Sequence, residues 1–171
     1  MWASVASALT AVVDACAAQP PCRAAHPLLR ADFVRLVTDL SVRPLPVTAP
    51  GPGTGAPSTV VIDGSKVVTV LVRATMSPGG IAEIPRILSD LARGDGTSAA
   101  AVLVDGQPPP RFTGWGLTYG VFCSELADPP EALVAGGRAV LPELPEPVLA
   151  LGPAVTVRLR GLRPLAGARR G

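Results

Sequence analysis

Trp2, Val5, Leu9, Val12, Val13 and Cys16 recur at the 3.6-residue spacing of a helix and predict one apolar face. Gln19-Pro20-Pro21 is expected to stop that helix, because neither proline can extend the hydrogen-bond ladder. After Pro27 a second stripe follows, made of Leu29, Phe33, Leu36, Val37 and Leu40. Both segments are too short to hold helical structure alone in water, so each must pack against something.

The span from Pro44 to Pro57 is rich in proline and glycine and excludes regular helix. Val47-Thr48 before its centre and Thr59-Val60-Val61-Ile62 after it predict a small hairpin with a long loop. Asp63-Gly64-Ser65 reads as a turn and N-cap opening a helix with Val67, Val70, Leu71 and Ala74 inward. Ser77-Pro78-Gly79-Gly80 breaks that helix. The next is expected from about Ala82 to Arg93, with Ile84, Ile87, Leu88 and Leu91 buried, Pro85 in its first turn and Gly94 as its stop. Residues 97–104 form a short Ala/Val segment, and 115–126 fits helix or strand equally by period. Pro129-Pro130-Glu131 looks like a helix start, with Ala132 to Val140 following. The fold class read from this pattern is mainly α with one small β-hairpin.

Composition sharpens the picture. Among 171 residues, 48% are hydrophobic but only 4% aromatic, so the core must be built from Ala, Val and Leu. Residues 1–150 carry ten basic and thirteen acidic groups, whereas 151–171 carry five arginines and no acid. The chain therefore divides into a helical body, 1–150, and a basic tail, 151–171, expected to be disordered. A mildly acidic body gives a nucleic-acid partner little support. No apolar run is long enough to span a bilayer, so no membrane partner is expected. The amino-terminal segment lacks a basic n-region and carries Asp14, and it reads as an amphipathic helix rather than a signal peptide.

Candidate chemistry is sparse. Cys16 and Cys22 flank the Pro20-Pro21 reversal, and loop closure over so few residues costs little, which favours a disulfide over two buried thiols. Zinc would need two more ligands, which His26 and the distant Cys123 supply poorly, so neither metal nor cofactor is expected. Cys123 is then the odd cysteine, a buried free thiol or one without its partner. His26, the only histidine, reads as a surface or cap residue, and Trp115 and Tyr119 as core fillers. None of the nine serines stands in a Gly-x-Ser-x-Gly frame.

The order of these features carries a resemblance. Cys16-x5-Cys22-Arg-Ala-Ala-His26-Pro is followed by Arg43-Pro-Leu-Pro-Val47 and by Val60-x-Ile62-Asp63-Gly64 opening a helix. Ile84-Pro-Arg-Ile-Leu88, Ala92-Arg-Gly-Asp95 and Gly120-Val-Phe-Cys-Ser-Glu125 come next. Over roughly residues 10 to 150 this set resembles the cap region of secreted bacterial α/β-hydrolases of the tripeptidyl and prolyl aminopeptidase type. The resemblance implies a helical lid above a serine nucleophile. The elbow would lie before Met1 and the acid and histidine after residue 150, leaving no catalytic residue in this chain. It implies that Glu125 holds the free amino terminus of a peptide substrate, since a buried ammonium needs a carboxylate partner. It also implies a parent that is secreted or in the cell envelope. The arginine-rich tail departs from the pattern and reads as a truncated or frameshifted product, the rival reading being a basic tail that contacts anionic membrane or nucleic acid by charge. A severed lid would expose apolar helix faces and self-associate through them. The alternative is a small helical protein-interaction module with a basic tail.

Overall fold

A computed structural model describes residues 2–51, 55–105 and 130–144. Seven helices and one antiparallel hairpin occupy them: α1 (Trp2–Ala18), α2 (Pro20–Ala25), α3 (Leu29–Val42), β1 (Leu45–Pro50), β2 (Pro57–Ile62), α4 (Gly64–Ala74), α5 (Pro78–Ala92), α6 (Thr97–Asp105) and α7 (Pro130–Val140). The mainly α reading with one small hairpin therefore holds. The basic tail lies outside the described residues, as do Trp115, Tyr119, Cys123 and Glu125.

On α1 the deepest line is Ala6, Leu9, Val13 and Cys16, with Val5 and Val12 half-buried at its sides. Ala6 joins the buried line although the expected stripe does not include it. Helix α2 was not expected. The prolines that end α1 also begin α2, since Pro20 and Pro21 occupy first-turn positions whose N–H groups would have no helical acceptor anyway. Helix α3 buries Leu29, Phe33, Leu36 and Val37 as its periodicity predicts, and Leu40 is half-buried.

The hairpin pairs Leu45 with Ile62, Val47 with Val60, and Thr48 with Thr59. Gly51 N–H donates to the Ala56 carbonyl at 2.6 Å to close its loop. Asp63 caps α4 as predicted, accepting from the Lys66 N–H at 2.8 Å. Gly64 lets α4 cross closely over α3, because a β-carbon there would collide with the Val37 carbonyl oxygen.

Helix α5 begins earlier than the sequence suggests. Ser77 caps it by accepting from the Gly80 N–H at 3.1 Å, and Pro78 fills the first helical position. Pro85 thus lies inside the helix and is buried, its missing N–H tolerated because the ring packs into the core. At the far end Gly94 adopts φ +84°, the left-handed conformation that L side chains resist. Gly94 N–H donates to Leu91 O at 2.9 Å and Asp95 N–H to Asp90 O at 2.9 Å, a Schellman closure. The Ala/Val segment becomes α6, which sets Ala99, Ala100 and Leu103 into the core near β1 and α4. Helix α7 packs along α1, and Leu141 and Leu144 beyond it are buried.

All these faces meet in one apolar core. Phe33 is the single aromatic among its described buried residues, and Ile62, Leu71, Ile84, Ile87 and Leu88 are its largest fully buried aliphatic side chains.

Candidate functional site

The sequence singled out Cys16, Cys22 and His26, and the fold gathers all three at the α1–α2 corner. Cys16 ends the buried line of α1, and Cys22 lies in the short helix that turns back beside it. The two are joined by a disulfide with a Cα–Cα separation of 5.1 Å. His26 is the C-cap of α2, its N–H donating to the Cys22 carbonyl at 2.8 Å. The half-buried imidazole reaches α5, where Nδ1 lies 2.7 Å from the Ser89 hydroxyl.

A serine and a histidine in hydrogen-bond contact invite comparison with a hydrolytic dyad. Such a pair needs a third group that orients the imidazole and stabilises its charged form. Among the described residues no carboxylate hydrogen-bonds to His26. The acid next to Ser89 in sequence, Asp90, is held by Arg86 at 2.9 Å and by Arg93 at 2.6 Å. The contact links α5 to the α2–α3 corner. Nothing in the sequence points to Ser89, a polar position on the flank of α5 and 63 residues from His26.

Among the described residues, open clefts flank the core. One, of about 250 Å³, lies between β2, α4 and α6 and is lined by Ser58, Ser65, Lys66, Thr69 and Arg73. Arg73 there is committed to the carbonyls of Leu103 at 2.9 Å and Val102 at 3.3 Å, tying α4 to α6. Beside this cleft, burial pushes the Asp63 carboxyl upward. Hydrogen bonds from the Ser65 hydroxyl and the Lys66 N–H outweigh it and hold the carboxyl below its ordinary range. A second cleft, of about 580 Å³, runs beside Pro27, Leu28 and Val34, bordered by the exposed Arg30–Glu143 ion pair at 3.0 Å. The Glu143 carboxyl is lowered by its own backbone N–H and by Arg30. The third, of about 600 Å³, sits between α4, α5 and α6, where Arg86 links Glu83, Asp90 and Ser98.

Among the described residues, no cluster of three or more His, Cys, Asp or Glu side chains is placed to hold a metal ion. No described helix is long and apolar enough to cross a membrane. No protein-family model, curated protein or solved structure matches the chain.

Proposed function

We propose that this chain is the substrate-covering lid of an α/β-hydrolase of aminopeptidase type and is without peptidase activity by itself. The observation that carries the reading is where its ordered motifs fall. Cys16 and Cys22 clamp the α1–α2 corner, and Arg43 to Val47 lead into the hairpin. Asp63 caps α4, and Gly94 closes α5. The motif order thus follows the order of corners in a mainly helical body, which supports the reading. The reading assigns Glu125 to the amino terminus of a peptide that only a complete hydrolase would hold. Two experiments test it. Flanking DNA should encode a Gly-x-Ser-x-Gly elbow upstream and a histidine-bearing core downstream, and flanks without them defeat the reading. The isolated chain should not cleave amino-terminal dipeptide or tripeptide reporters; turnover blocked by a serine-directed inhibitor would refute its inactivity.

A second reading, a free-standing helical interaction module, is favoured by one observation. Apolar residues of α1, α3, α4, α5 and α6 are buried against one another in a shared core. A cooperative melt of a monodisperse chain favours the module, whereas strong dye binding and association favour the severed lid.

A further inference from the structure

We propose that the Cys16–Cys22 bond is a redox latch controlling whether His26 engages Ser89. The proposal stands independently of the lid reading. Helix α2 has six residues and not one of them is buried. A helix that short, with two prolines in its first turn, has too few internal hydrogen bonds to persist in water. Besides the disulfide, its side-chain tie to α1 is an exposed contact from Arg23 Nη1 to the Ala17 carbonyl at 3.4 Å, near the limit for a hydrogen bond. Cys16, by contrast, is 4% exposed and anchored in the core through α1. The covalent bond therefore pins a weakly held helix to a firmly held one. His26 depends on the same helix, because its N–H closes the last turn on the Cys22 carbonyl.

The chemistry is thiol–disulfide exchange with a cellular dithiol as reductant. Its thiolate attacks the sulfur of half-buried Cys22, the more accessible of the two. Cys16 leaves as a thiolate and takes up a proton. The second thiol of the reductant then attacks the mixed disulfide and releases Cys22. Two protein thiols and one oxidised dithiol result, with two electrons passing to the protein. Once the bond is open, residues 19–28 lose their covalent tie to α1, while Leu29, 5% exposed, keeps α3 in place.

The chain's single histidine makes the test direct. Imidazole proton resonances of the full chain would be compared in the oxidised form, after phosphine reduction, and in an oxidised Ser89→Ala variant. Amide exchange would be followed in parallel. On reduction the His26 resonances should move to their positions in Ser89→Ala, and exchange in residues 19–28 should rise about tenfold or more while α5 stays protected. Unchanged His26 resonances and exchange on reduction would overturn the latch. So would loss of protection throughout α3, α4 and α5, because the release would then be global.

Discussion

Gly64 and the Val37 carbonyl touch where α4 crosses α3, leaving no room for a β-carbon. The backbone of both helices would have to yield to a side chain at this crossing. Gly64→Ala should lower stability by about 1–3 kcal/mol, the usual range for overpacking a tight site. Urea unfolding measures this, and an unchanged midpoint would mean that the helices can separate freely.

Gly94 tests a different property of glycine. A β-carbon there meets nothing within 4 Å, so conformation and not space is at issue. Gly94→Ala should cost about 1–2 kcal/mol through its left-handed backbone. Gly94→Asn should recover part of that loss, as asparagine tolerates this region better.

Asp63 couples the α4 cap to pH. Its folded carboxyl titrates below the ordinary value of 3.8, so its contribution is present above that value and fades as pH falls through the lower folded one. Asp63→Ala should cost about 1 kcal/mol near neutral pH. The gap from the parent chain should narrow on acidification, which urea midpoints measured at several pH values would reveal.

Thr10 presents a buried hydroxyl oxygen with no hydrogen-bond partner among the described residues. Thr10→Val keeps the shape and removes the unsatisfied group, so stability should stay level or rise by up to about 1 kcal/mol. A clear drop in melting temperature would show that the hydroxyl has a role in the folded chain.

The sequence made α3 and α4 legible because Val, Leu and Phe alternate sharply there with charged or hydroxyl residues. It was less clear where contrast was low. In α6 the alanines fit either face, and only packing near β1 and α4 makes Ala99 and Ala100 interior. Proline misled twice. Pro20 and Pro21 signal a stop but also start α2, and Pro85 suggests a first turn although α5 begins at Pro78. At the α1–α2 corner, cysteine spacing pointed to the disulfide because only six positions separate the pair. Ser89 could not be found that way, since its contact with His26 arises from the packing of distant segments.

With Phe33 as the lone aromatic ring among the described buried residues, this interior is dense in methyl groups and poor in ring currents. Its valine, leucine and isoleucine signals should crowd into a narrow spectral window even when packing is tight. Limited methyl dispersion in this protein would accordingly be a signature of its composition and not of a loosened core.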